Sequence, residues 1–116
     1  MYITVTGFSH YYSLKPFSIG NLVMCRKDGG NPYDPDAIKV CMPLLGTVGF
    51  IANSVDTIAG GTMSAGRIYD KVPDIFYAKV LFTTRTKVIC EVLEGDEEDV
   101  KAMFEEFCKN IGTMNL

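Results

Sequence analysis

Histidine is almost absent from this sequence: His10 is the only one among 116 residues. With no second histidine, neither a histidine relay nor a histidine-rich metal site can be completed. The four cysteines, Cys25, Cys41, Cys90 and Cys108, form no Cys-x-x-Cys pair and have no histidine beside them. A zinc site needs closely spaced ligand pairs to close a tetrahedron, so a metal is not expected. Each cysteine falls instead within an apolar pattern, and all four read as buried thiols ahead of a disulfide. Neither GxxxxGK[ST] nor GxGxxG is present, so no phosphate cradle for a nucleotide is visible and no cofactor is expected. Asp34 and Asp36 have no third ligand at useful spacing and read as turn residues around Pro35.

Long apolar runs are missing too, and none approaches the ~20 residues that a membrane span requires. The opening Met-Tyr-Ile-Thr-Val-Thr has no basic region, so it reads as a first strand and not a signal peptide. A cytoplasmic protein of one domain, residues 1–116, is the expectation. A strong basic stripe is also lacking. The net charge is −3, with −5 over residues 94–116 and +2 over residues 1–93. Any affinity for nucleic acid must then rest on stacking and local geometry more than on bulk charge.

What the chain does have is alternation. Ile3 and Val5 set against Tyr2, Thr4 and Thr6 have the period of a half-buried strand. Further strands are expected at 22–27, 38–42, 47–51, 74–82 and 87–93, the last two as a hairpin with Phe76, Ala78, Val80 and Phe82 on one face. Short helices are expected from Asn53 or Ser54 to Ile58 and around Ser64 to Tyr69. Asp96 caps a final helix over about 97–111, where Val100, Met103, Phe104, Phe107, Cys108 and Ile111 make one apolar stripe for packing on a sheet. The fold class is mostly β (α+β): a small antiparallel β-barrel or half-barrel of OB/SH3-like type, with short helices and a terminal amphipathic one. A free strand edge, if left, would offer a route to a dimer.

One stretch departs from ordinary loop chemistry. Gly29-Gly30-Asn31-Pro32-Tyr33-Asp34-Pro35-Asp36 precedes the strand Ile38-Lys39-Val40. Two glycines permit unusual turns, and each proline restricts itself and the residue before it. The product is a stiff loop presenting a ring and a carboxylate, Tyr33 and Asp34. Tyr11 and Tyr12 stand in another expected loop, in an extended segment that would send Ser9 and His10 to opposite faces. Such tyrosines either cover the barrel ends or stack on a base, and the residues alone leave both open.

The order Gly7, Tyr11-Tyr12, Gly20, Asn31-Pro32-Tyr33-Asp34, Ala37-Ile38-Lys39-Val40 and Val48-Gly49-Phe50-Ile51 resembles the HIRAN domain. That family is a small β-barrel found at the N-terminus of some chromatin-remodelling helicases and alone in many bacterial proteins. The resemblance covers about residues 2–93 and implies a non-catalytic module that recognises single-stranded or damaged DNA ends. It implies that Tyr11 and Tyr33 stack on the terminal base and that Asp34 accepts a hydrogen bond from the free 3′-hydroxyl. His10, Tyr12, Phe50 and Asn53 complete the expected nucleic-acid surface, with Asn31 bracing the turn. Helicase-linked members carry basic residues where this chain has His10, Phe50 and Asn53, which implies a weaker phosphate grip here. A protein-interaction module that has lost DNA affinity is the alternative. A hydrolase ranks last, because the motor and zinc modules that accompany the domain elsewhere are absent from these residues.

Overall fold

Alternating apolar residues build six short strands, and the computed structural model describes residues 1–114 of the chain that contains them. In order these are β1 (Tyr2–Thr6), a 3₁₀ turn (Phe8–His10), β2 (Leu22–Lys27), β3 (Ile38–Met42) and β4 (Gly46–Ile51). There follow α1 (Ala65–Ile68), which runs into a second 3₁₀ turn (Tyr69–Lys71), then β5 (Ile75–Thr83), β6 (Val88–Val92) and α2 (Glu97–Met114). The strands close into an antiparallel barrel in the order β1-β4-β3-β2-β5-β6. Closure pairs every strand on both sides, so the free edge considered from the sequence is absent among the described residues. No helix there is long and apolar enough to cross a membrane.

The barrel is filled by Ile3, Val5, Val23, Ile38, Val40, Val48, Val80 and Val88, none of which reaches solvent. Gly49 shows how closely the walls meet. A Cβ there would stand 2.8 Å from Val5 Cγ1 and 3.0 Å from the Thr6 carbonyl oxygen. Only glycine fits where β4 crosses β1, which accounts for the glycine of Val48-Gly49-Phe50.

Several expectations give way to tertiary structure. Thr4 alternates like a solvent-facing residue yet is fully buried, because the segment after β4 folds over it. Its Oγ1 hydrogen-bonds Thr62 Oγ1 at 2.7 Å and accepts the Ala59 N–H at 3.1 Å. No helix forms over 53–58. Those residues make a turn in which the Ser54 carbonyl accepts the N–H groups of Thr57 and Ile58. The Asn53 side chain is engaged elsewhere, and β-branched Val55, Thr57 and Ile58 favour no short helix. The helix near Ser64 does form, with Ser64 Oγ accepting the Arg67 N–H at 3.2 Å. Ser9 and His10 lie in a 3₁₀ turn and not in extended chain. Phe82 leaves the apolar face of β5 and is half exposed, because a register shift between Val80 and Phe82 turns the strand.

The final helix lies against the outside of β2 and β5. Asp96 Oδ1 accepts the Glu98 N–H at 2.9 Å and caps it. Phe104 packs its ring 4.9 Å from that of Tyr77, in a cluster with Leu22 and Val100. Met103, expected in the same stripe, is half exposed at its margin. All four cysteines are free thiols; Cys25 and Cys90 are buried, whereas Cys41 and Cys108 are only partly so. Burial pushes the Cys90 thiol up from 9.0 to about 12 and raises Cys25 well above the usual range.

Candidate nucleic-acid interface

The loop from Asp28 to Ala37 is held by one amide. Asn31 Oδ1 accepts the backbone N–H groups of Tyr33 (2.8 Å) and Asp34 (3.0 Å), while its Nδ2 donates to Asp28 Oδ2 at 3.2 Å. Asp28 N–H to the Ala37 carbonyl, at 2.8 Å, closes the base of the loop. Asp34 Oδ1 accepts the Asp36 N–H at 2.9 Å across Pro35. Side chains thus take the place of backbone ladder bonds, and with two prolines they hold the corner in one conformation. Tyr33 projects from it with 94% of its surface exposed and no ring partner among the described residues. Core packing does not explain a ring left in that position.

A second loop meets this one through Asn53. The residue before it, Ala52, is buried and pinned on both sides: its N–H donates to the Thr4 carbonyl at 2.8 Å, and its own carbonyl accepts the Ala65 N–H at 3.0 Å. Asn53 therefore leaves the barrel in a set direction. Its Nδ2 donates to Asp34 Oδ2 at 3.0 Å and its Oδ1 accepts the Gly66 N–H at 2.8 Å. Gly66 leaves room for this contact, since a Cβ there would lie 3.2 Å from both Asn53 Oδ1 and Asp36 Oδ2. Each Asp34 oxygen thus has one partner. A carboxylate offers about four acceptor positions, so each oxygen can take another donor.

The third component is a pair of rings. Phe8 is buried against Phe17, with centroids 5.9 Å apart, and anchors the turn that carries His10 and Tyr11. The Tyr11 ring then sits 6.4 Å from Phe50 in a tilted contact. Phe50 is on β4, three residues before Asn53, between buried Gly49 and Ile51, and its side chain is partly exposed. The structure therefore links Asn31, Tyr33, Asp34 and Asn53 directly, and joins Tyr11 to Phe50 on the strand that leads to Asn53. His10 is exposed at the end of its turn. Tyr12 diverges from Tyr11 and lines a cleft of about 470 Å³ with Pro16, Met42 and Leu45, near the β3–β4 hairpin.

Comparison with solved structures places the architecture. The crystal structure of the HIRAN domain of human HLTF matches 95% of this chain and 86% of its own, with a TM-score of 0.58 and 22% identity. The fold is that of a HIRAN domain. A protein from Lactobacillus plantarum matches 78% of this chain and 87% of its own, with a TM-score of 0.54 and 18% identity. No family model and no curated protein matches the sequence. Within the HIRAN fold, Asn31-Pro32-Tyr33-Asp34 and Val48-Gly49-Phe50 lie in the loop and strand joined by the Asp34–Asn53 contact. Sequence reasoning missed Lys39, a residue of β3 directly opposite Phe50. Its alternation between Ile38 and Val40 marks it as outward-facing, but only the strand register shows what stands beside it. Among the described residues, no group of three or more His, Cys, Asp or Glu side chains is placed to hold a metal ion.

Proposed function

We propose that this protein is a HIRAN-type module that binds the 3′-hydroxyl end of single-stranded DNA without chemical turnover. The observation that carries the reading is the corner at Tyr33 and Asp34: a ring left in solvent beside a carboxylate held by Asp36 and Asn53. Stacking on such a ring contributes about 1–3 kcal/mol per base whatever the base. Asp34 repels an internal phosphate but accepts a hydrogen bond from a terminal hydroxyl, so the corner favours ends. Tyr11 and Phe50 supply a second apolar surface for the terminal or neighbouring base, with His10 at the turn beside them. Asn31 acts through the loop and Asn53 through Asp34. Four free thiols fit a reducing compartment such as the cytoplasm.

Fluorescence anisotropy with two labelled oligonucleotides tests this, one ending in a 3′-hydroxyl and its twin in a 3′-phosphate. The hydroxyl strand is expected to bind about tenfold tighter or more, as a hydrogen bond to a charged group contributes about 1.5–3 kcal/mol. Asp34→Ala should erase the difference. Equal binding of both strands by the wild-type protein would remove the end-reading claim. The protein-interaction reading has the uncharged Phe50 and Asn53 in its favour, and it predicts no oligonucleotide affinity even at low salt.

A further inference from the structure

Across the barrel wall, Arg26 on β2 lies opposite Lys39 on β3, Lys39 opposite Phe50 on β4, and Phe50 opposite Thr6 on β1. These four residues form one rung over four adjacent strands. Their chain neighbours Cys25, Val40, Ile51 and Val5 are in the core, so the rung faces outward. With strands about 4.8 Å apart, it spans roughly 14 Å from Arg26 to Thr6. Two cations and a ring thus stand in register, and Tyr11 rests on the ring.

The charges on this wall are open to a ligand. Arg26 is exposed and has no ion pair among the described residues. Arg26 lines a groove between this wall and α2, and Glu105 of α2 lines its other side. The Lys39 ammonium lies 3.9 Å from Asp28 Oδ2, and its side chain is 38% exposed. The Asp28 side chain is 22% exposed, and at that separation a partly exposed pair is weak enough for a phosphate to displace. Phe50 and Thr6 carry no charge, which leaves Lys39 and Arg26 as the cations of the rung. We infer that a DNA strand ending at Asp34 leaves the site over Phe50 and crosses β3 and β2, with successive backbone phosphates against Lys39 and Arg26. This path rests on the end-binding reading and extends it to a footprint longer than the terminal base.

Salt-dependent anisotropy titrations of Arg26→Gln and Lys39→Gln test the path, each with a 3′-hydroxyl oligothymidylate of about eight nucleotides and one of two. Lys79→Gln is the control: Lys79 is exposed on β5, on the far side of the barrel from β4. Each rung variant is expected to weaken the longer strand about threefold and to lower the slope of log K against log salt by about 0.7. Arg26→Gln should leave the dinucleotide unaffected, and Lys79→Gln should change neither. Unchanged affinity and slope in the rung variants, or an equal loss in Lys79→Gln, would overturn the path. Should that happen while the 3′-hydroxyl preference persists, the path alone fails. Rung-dependent binding without the preference removes only the end reading, and no binding at low salt removes both.

Discussion

Two segments lie on the outside of this barrel, and they are held there by opposite means. The helix α2 is attached through rings: Phe104 is 8% exposed and rests on Tyr77. The 28–37 loop is attached through polar side chains, from Asn31, Asp34 and Asn53, and leaves its own ring 94% exposed. A buried ring contributes to stability through the area it removes from water. An exposed ring on a fixed corner adds almost nothing to stability, and the ordering cost of a ligand contact there is already met by the fold. The helix therefore belongs to the barrel, and the loop leaves its ring in solvent, where the proposed ligand would meet it.

Mutations that separate stability from binding can break or sharpen this contrast. The largest effect is expected for Phe104→Ala, which should lower the unfolding free energy by about 3–5 kcal/mol in urea titrations. The fraction still folded should bind DNA as before. Asn31→Ala is expected next, at about 1 kcal/mol of stability, because two backbone N–H groups lose their acceptor. Unlike the helix substitution, it should also weaken DNA binding, because Asn31 holds the backbone that presents Tyr33 and Asp34. The smallest effect is expected for Met103→Ala, within about 0.5 kcal/mol in the same titration. A large loss there would mean that α2 is seated differently from the contacts around Phe104.

How much of this was legible in the sequence follows the same division. The strand at 22–27 and the Asp96 cap were readable because each depends on local period or local hydrogen bonding. The turn role of Asn31 was readable for the same reason. Phe82 and Met103 were misplaced because a bulge and the margin of a helix stripe are set by neighbouring elements. Thr4 was misjudged because its cover comes from residues more than fifty positions away. The Asp34–Asn53 contact and the rung of Arg26, Lys39 and Phe50 depend on strand register, which no stretch of one chain displays alone. The loop's stiffness was visible from its prolines, but its partner beyond the neighbouring strand β4 was not.

The most direct test of the account is Tyr33→Ala, measured by urea unfolding and by anisotropy with a 3′-hydroxyl single strand. The account predicts an unfolding free energy within about 0.5 kcal/mol of wild type, with DNA binding weakened about fivefold or more. Unaltered binding, or a large loss of stability, would contradict it.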